Sequence, residues 1–562
     1  MKNIFLTNWN YINRLNYRVF NKMGYNNEDR LEKKSIEKII AKMTLKEKIG
    51  QMVMVGFDGG EINPSITKMI EKYKVGGIIY FVRNLFNPGQ AANLSAKLQE
   101  LSHQSTGIPL FLSTDEEGGI VTRVKGMTHF PGLMSLGAAD SPRLTKNVAQ
   151  AKGEQLKYLG INFNLSPVLD INNNPQNPII GVRSFGSKPE SVAKHGKYYI
   201  KGIQNENVIT CGKHFPGHGN TATDSHLNLP VIDHKLDYLK KMELIPFKKA
   251  INNGIDSIMI AHIAFPTLTG KADLPATLSS EIITELLRND LGFQGIIITD
   301  CMEMQGISKT FGTAEGAIQT VKAGSDQVLI SHTPYKQIEA LEKLLEAVKN
   351  GEIKEDRINN SLKRILKLKQ NKISAQKKPV YKKYKFDTYL NKGQDVSEKV
   401  SRQAVTVYSD PEKNIPLKPE NYKKLLLLDL SKNVTSPVEN VGENKGWDNK
   451  VFFKKKLKNS GYTVEEVVQK DLENPEDRKI KTNSSVIIVL LKNFSLNSTE
   501  QKVINKLNKS SQPILAVCQG NPYSAVKIKK TTIIFIYDNS PTHIKPLVEI
   551  IEGKQKPLGK LP

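Results

Sequence analysis

The densest run of chemically capable side chains is Lys213–His226, which reads Lys-His-Phe-Pro-Gly-His-Gly-Asn-Thr-Ala-Thr-Asp-Ser-His. It packs a lysine, three histidines and an aspartate among turn-forming Pro and Gly. Three readings are open. His214, His218, Asp224 and His226 are all possible metal ligands. Alternatively, Asp224-Ser225-His226 puts a carboxylate two residues from an imidazole, where it orients the ring, raises its basicity and makes it a proton shuttle. The third reading is a polar loop with a structural role only. The His-x-His pair that metal-dependent barrel hydrolases often carry on their first strand is absent, so the spacing favours the proton shuttle. Two other apolar runs end in carboxylates: Asp115, within Thr114–Gly119, and Asp300, within Thr299–Met304. A carboxylate at the tip of a hydrophobic strand costs stability unless it is paired or solvated in a mouth. Any one of these groups alone reads equally well as a strand-end helix cap. Three of them on alternating strands point to a single site.

Such groups can meet only if their strands end on the same side. From Ser35 to Lys369, eight apolar runs alternate with amphipathic stretches: 49–57, 75–81, 109–115, 161–168, 208–215, 257–263, 295–300 and 326–331. Their Ile, Val and Leu content suits parallel strands buried on both faces. Helical patterns fall between them, for example 93–102 and 279–289. The expected fold is α/β: a (β/α)₈ TIM-type barrel over 35–373, followed by a smaller α/β sandwich domain over 399–562. The sandwich would be built on the runs 423–430, 485–491, 513–518 and 532–537, with a surface helix within 493–510. Residues 1–34 read as an N-terminal extension and the Lys-rich stretch 374–398 as a linker.

Composition narrows the class. The 562 residues are 39% apolar and 24% charged, as in a soluble globular protein. No run approaches the roughly 18 apolar residues of a membrane span. Three cysteines neither make a disulfide framework nor show metal spacing. The amino-terminal residues lack the apolar core of a secretory signal, so the chain as it reads is expected in the cytoplasm, with export the alternative. The formal charge is +25, enriched in the last third. Because the lysines are spread out, they read as solvated faces. The rival is a surface for a polyanion, either nucleic acid or a wall polymer.

Lys213 through His226 matches, at every position, the pattern K-H-[F/I]-P-G-H-G-x₄-D-[S/T]-H. On this motif the chain resembles glycoside hydrolase family 3, and within it the NagZ-like β-N-acetylglucosaminidase branch. Asp115–Gly119, Asn172–Pro175, Gly181–Gly186 and Ile298–Asp300 carry the same resemblance, in the expected order from about Leu45 to Ser331. The closing Gly559-Lys560-Leu561-Pro562 is similar to the family's end-of-domain motif, which suggests the two-domain, Gram-positive type. The resemblance implies that Asp300 is the nucleophile of a retaining reaction, His226 the general acid/base and Asp224 its orienting partner. It implies that Asp115, Arg123, Arg183, Lys213 and His214 bind the terminal sugar, a role that suits carboxylate acceptors and cationic donors. Gly217 and Gly219 would let the acid/base loop move. It implies no metal and no organic cofactor. Glu116 and Ile120 depart from the family, which commonly has Gln or His, and Arg, at these positions. Cys211 and Cys301, beside site residues, read as small buried fillers.

The expected function is removal of non-reducing terminal GlcNAc from peptidoglycan fragments such as GlcNAc–MurNAc, in wall turnover or recycling. The partner is therefore a carbohydrate, with an anionic wall polymer as an additional ligand of the basic tail domain, and no nucleic acid is expected. The rivals are a phosphorylase on the same residues, a β-glucosidase, and a non-catalytic polyanion-binding protein.

Overall fold

The computed structural model describes residues 36–222, 228–374, 379–431, 449–467, 485–494, 498–509 and 512–562. The expected extension 1–34 lies outside them. Eight parallel strands form a closed barrel: β1 Val53–Val55, β2 Gly77–Tyr80, β3 Phe111–Thr114, β4 Phe163–Asn164, β5 Ile209–Phe215, β6 Ser257–Ile260, β7 Ile296–Cys301 and β8 Gln327–Ile330. β8 closes on β1 through Val53↔Val328, Met54↔Leu329 and Val55↔Ile330. Seven of the eight strands fall inside one of the apolar runs, and β7 extends one residue, Cys301, past its own. The run 49–57 is shared, because its first residues finish the helix Leu45–Gln51. Thr44 and Glu47 form a capping box that starts that helix. The helix expected over 279–289 is present as Glu281–Asp290, wound as a π-helix. Its Ile282, Ile283, Leu286 and Leu287 are buried in either winding, and the apolar spacing does not distinguish the two.

The second domain is a six-stranded sheet made of β9 Thr406–Ser409, β10 Lys424–Asp429, β11 Thr463–Val467, β12 Ser485–Lys492, β13 Ile514–Gln519 and β14 Thr532–Tyr537. Its order is β11-β10-β12-β13-β14-β9. All pairings are parallel except that of β9 with β14. The four central strands coincide with the expected runs. The edge strands β9 and β11 do not, because Thr-Val-Tyr-Ser and Thr-Val-Glu-Glu-Val are only half covered and carry no continuous apolar run. The stretch 374–398 is mostly not a linker. Residues 383–398 belong to the helix Lys383–Ala404, whose Phe386, Val396, Val400 and Ala404 are buried. Phe386 stacks on Tyr158 of the barrel with ring centroids 5.8 Å apart, so the boundary drawn at 399 falls inside this helix. Among the described residues no helix is long and apolar enough to cross a membrane.

The two domains share a buried polar joint. Asp538, just past β14, accepts from the Gly132 backbone N–H at 2.7 Å and the Ser135 hydroxyl at 2.5 Å. It also faces His543 Nε2 at 3.2 Å. Burial pushes the Asp538 pKa up, but His543 and the donors outweigh it and hold the pKa at about 2. The carboxylate's contribution is therefore complete above the ordinary carboxylate pKa and is lost as pH falls toward about 2. Asp538→Ala is expected to cost about 3–5 kcal/mol at neutral pH, the scale of removing one partner from a buried pair. Denaturant melts at pH 7 and below pH 3 check this, because the difference between variant and wild type must shrink in acid. The second domain also reaches the loop after β4. Asn521 Nδ2 donates to Pro175 O at 3.1 Å, and Ser187 Oγ and Tyr523 Oη both donate to Pro562 O.

Candidate active site

The C-terminal ends of β3, β5 and β7 open on the same mouth. β5 is buried along its whole length although it contains Lys213 and His214. A buried ammonium survives only when paired. Lys213 Nζ lies 2.7 Å from Asp115 Oδ1, just past β3, and 2.8 Å from Glu117 Oε1. Glu117 in turn takes a two-pronged contact from Arg183, with Nε to Oε2 at 2.9 Å and Nη2 to Oε1 at 2.8 Å. The result is an alternating chain, Asp115–Lys213–Glu117–Arg183. Burial would raise the Glu117 pKa, but Arg183 and Lys213 outweigh it and hold the carboxyl far below the usual range. Lys213 and Arg183 are pushed up, because the facing carboxylates outweigh their own desolvation. The Asp115 side chain is 18% exposed and that of Glu117 only 1%. Asp115 therefore faces the mouth, while Glu117 lies beneath and sets the two cations.

The loop carrying these carboxylates is held from below. Lys152 is fully buried and donates to Glu117 O at 2.6 Å, Glu116 O at 3.2 Å and Tyr199 Oη at 3.0 Å. The Glu116 carboxylate accepts from the backbone N–H groups of Arg123, at 2.8 Å, and Val124, at 3.4 Å. Glu116 thus fixes the backbone of the segment that carries Arg123. Burial raises the Glu116 pKa.

His214 is oriented by Asp170, just beyond β4. Asp170 Oδ2 is 2.7 Å from His214 Nδ1, and both carboxylate oxygens accept from His214 N at 3.1 Å. Oδ1 also accepts from His218 N at 2.7 Å. Burial would raise the Asp170 pKa, but the His214 contact and the His218 N–H reverse it. Asp170→Asn is expected to lower kcat/KM for a β-GlcNAc substrate by about 10- to 100-fold, the worth of one charge-assisted bond of ~1.5–3 kcal/mol. Steady-state kinetics beside a thermal melt check it; a lower melting temperature with unchanged kcat/KM would contradict the assignment.

β7 delivers Asp300, half-buried at the strand end, where its Oδ1 accepts from the Cys301 N–H at 2.7 Å. His262, beyond β6, fixes that end, with Nε2 2.9 Å from Cys301 O and Nδ1 2.7 Å from Thr277 Oγ1. Asp115, Lys213 and Asp300 stand at or just past the C-terminal ends of β3, β5 and β7, on one side of the closed barrel. Burial pushes both Cys211 and Cys301 up to about 12, which fits their reading as buried fillers.

Asp224 and His226 lie outside the described residues. The chain on either side of them is anchored at the mouth. Before Asp224, Asn177 Nδ2 donates to His218 O and Gly219 O, and after His226, Ala264 N donates to Pro230 O and Ile232 N to Ala264 O. Gly219 serves close approach: a Cβ there would sit 1.6 Å from Ile171 O. Burial pushes the His218 pKa down to about 4. Among the described residues no group of three or more His, Cys, Asp or Glu could hold a metal ion.

The structure thus joins Asp115 to Lys213 directly and Arg183 to Lys213 through Glu117, places His214 beside Lys213 on β5, and sets Asp300 at the end of β7 on the same mouth. The sequence reading passed over Glu117, Asp170 and His262. Asp170 had a visible signal, a carboxylate two residues past an apolar run.

This arrangement of acceptors and donors around one mouth carboxylate suits a polyhydroxylated ring, and the comparisons agree with it. Residues 44–368 match the model of the glycosyl hydrolase family 3 N-terminal domain. The chain is 37% identical over 328 residues to beta-hexosaminidase A of Pseudoalteromonas piscicida, covering 54% of this chain and 55% of that protein. It is 34% identical over 277 residues to the beta-hexosaminidase of Nitrosomonas eutropha, covering 48% of this chain and 77% of that one. The match thus spans about half of the first relative and three-quarters of the second. The solved family 3 beta-N-acetylglucosaminidase of Paenibacillus sp. FPU-7 is 37% identical, with a TM-score of 0.85, over 92% of this chain and 98% of that chain. The chain belongs to glycosyl hydrolase family 3, among its β-N-acetylhexosaminidases.

Proposed function

We propose that the protein is an exo-acting, retaining β-N-acetylglucosaminidase that removes terminal GlcNAc from peptidoglycan fragments such as GlcNAc–MurNAc, in wall turnover or recycling. The observation that carries this reading is the Asp115–Lys213–Glu117–Arg183 chain at the ends of β3 and β5, on the same barrel mouth as the β7 end that bears Asp300. Asp115 accepts from sugar hydroxyls, while Lys213, Arg183 and His214 donate to hydroxyls and the acetamide. Asp300 attacks the anomeric carbon while His226, oriented by Asp224, protonates the leaving oxygen. The resulting glycosyl ester is then hydrolysed by a water that His226 deprotonates, and the β configuration is retained.

The test is release of the aryl group from paired β-GlcNAc and β-glucose substrates, with and without phosphate, on wild type and His226→Ala. Turnover of the GlcNAc substrate alone, lost in the variant and indifferent to phosphate, is the expected result. Phosphate-dependent release of GlcNAc-1-phosphate would overturn hydrolysis in favour of phosphorolysis, and equal turnover of the glucoside would overturn the sugar assignment.

A further inference from the structure

Two asparagines of the loop after β4 hold four consecutive backbone carbonyls of the turn after β5. Asn177 Nδ2 donates to His218 O at 2.8 Å and Gly219 O at 3.0 Å, and it reaches Thr221 Oγ1 at 3.2 Å. Asn174 Nδ2 donates to Asn220 O at 3.4 Å and Thr221 O at 3.3 Å. Carbonyls only accept, so a side chain that holds several of them must bring N–H groups. An amide brings two on its nitrogen and keeps its oxygen for a second task. Asn174 Oδ1 accepts from Gln176 N at 3.0 Å. Asn177 Oδ1 accepts from Ile179 N at 2.9 Å and Ile180 N at 2.7 Å, and Arg183 Nη1 donates to Ile179 O at 3.1 Å. Asn177 thus ties the turn after β5 to the segment that bears Arg183.

The turn is closed in on its other sides. A Cβ on Gly217 would sit 2.6 Å from Glu243 Cγ, in addition to the close approach of Gly219 to Ile171. Glu243 is buried, and its Oε1 accepts from Asn173 Nδ2 at 3.0 Å. Asp170 Oδ1 takes the His218 N–H. The asparagine loop is braced in turn by the second domain, where Asn521 donates to Pro175 O. Residues 217–221 are therefore fixed from several directions, mostly by a loop whose asparagines have no part in the chemistry described above.

Sequence position gives this turn its meaning. Thr221 stands three residues before Asp224 and five before His226. Proton transfer needs its donor within about 2.6–3.2 Å of the leaving oxygen, and a misplacement of about 1 Å costs on the order of 100-fold. Four held carbonyls set the point from which the chain runs to the acid.

We infer that Asn174 and Asn177 are positioning residues for the acid/base step. This rests on the hydrolase reading above and deepens it. The readout is dependence on the leaving group. Dinitrophenolate departs without a proton, whereas methoxide needs one from the acid, and kcat/KM covers the steps through formation of the glycosyl ester. The measurement is kcat/KM for 2,4-dinitrophenyl and for methyl β-N-acetylglucosaminide, beside a thermal melt. Asn177→Asp keeps the side chain's shape and the acceptor for the Ile179 and Ile180 N–H groups but loses both donors. Asn174→Ala removes the other two bonds at a half-buried site. The methyl glycoside is expected to lose about 10- to 100-fold in Asn177→Asp and about 3- to 10-fold in Asn174→Ala, with the dinitrophenyl glycoside within about twofold of wild type in both. A general disturbance of the fold would lower both substrates alike. Equal losses on the two substrates, or losses within about twofold on both, in the two variants would overturn the inference. His226→Ala sets the scale of a selective loss. An equal loss on both substrates in that variant, or a wild type that turns over neither, would overturn the hydrolase reading, and this one with it.

Discussion

Asp300→Asn is expected to lower hydrolysis of an aryl β-N-acetylglucosaminide by roughly 10⁴-fold or more, the scale on which one member of a covalent catalytic set is lost. The amide is nearly isosteric, and the Cys301 N–H that donates to Oδ1 finds a carbonyl oxygen in its place. The anchoring chain on the β3–β5 side is untouched, so substrate should still bind. The loss belongs in kcat, and no burst of aryl release should precede the steady state. Rapid-mixing kinetics separate these points. A fall of less than tenfold, or one confined to KM, would remove Asp300 from the nucleophile's role.

Glu117→Gln carries the second largest expectation, and its effect is felt in stability as well as rate. Glu117 is the carboxylate between two buried cations, and Asp115 contacts only one of them. Neutralising it leaves Arg183 without its two-pronged partner and Lys213 with one carboxylate. The unfolding free energy should fall by about 3–5 kcal/mol, as when one member of a buried ion pair is removed. kcat/KM should fall by about 100-fold or more, because Lys213 and Arg183, proposed above as donors to the sugar, lose their placement, at roughly 1.4 kcal/mol per factor of ten. The pH dependence has a definite sign. The Glu117 pKa is depressed, so its contribution is complete above the ordinary carboxylate value and is lost only well below it. An acid limb in kcat/KM above about pH 4 therefore arises from another group. Parallel denaturation and pH–rate profiles of wild type and Glu117→Gln check both statements. A variant equal to wild type in stability would contradict the assignment.

The barrel was legible because a parallel strand covered on both faces must be apolar at consecutive positions, and eight such runs stand out between amphipathic stretches. The same rule explains what was not legible. β9 and β11 are edge strands with polar residues on an open side. The helix Lys383–Ala404 hides a narrow buried stripe beneath a surface of lysines, so its charge pattern reads as a linker. At the site, strand-tip residues were legible by position: Asp115, Lys213, His214 and Asp300 all stand where an apolar run ends. Glu117 was not, because it occupies a turn and its meaning comes from Arg183, 66 residues away. His262 was not legible for a similar reason: its role lies in supporting the carbonyl of Cys301 on the neighbouring strand.

The joint at Asp538 and the contacts of Asn521 and Ser187 with the opposite domain make barrel and sheet thermodynamic neighbours. Occupancy of the mouth and integrity of the sheet are then linked quantities. A ligand that binds only the folded protein stabilises it by RT ln(1 + [L]/Kd), about 2.7 kcal/mol at a hundredfold excess over Kd. Where two domains meet through buried polar groups, that stabilisation reaches both. A GlcNAc-like inhibitor held at Asp115 and Lys213 should delay exchange of amide protons in β13 and β14, strands that never touch it.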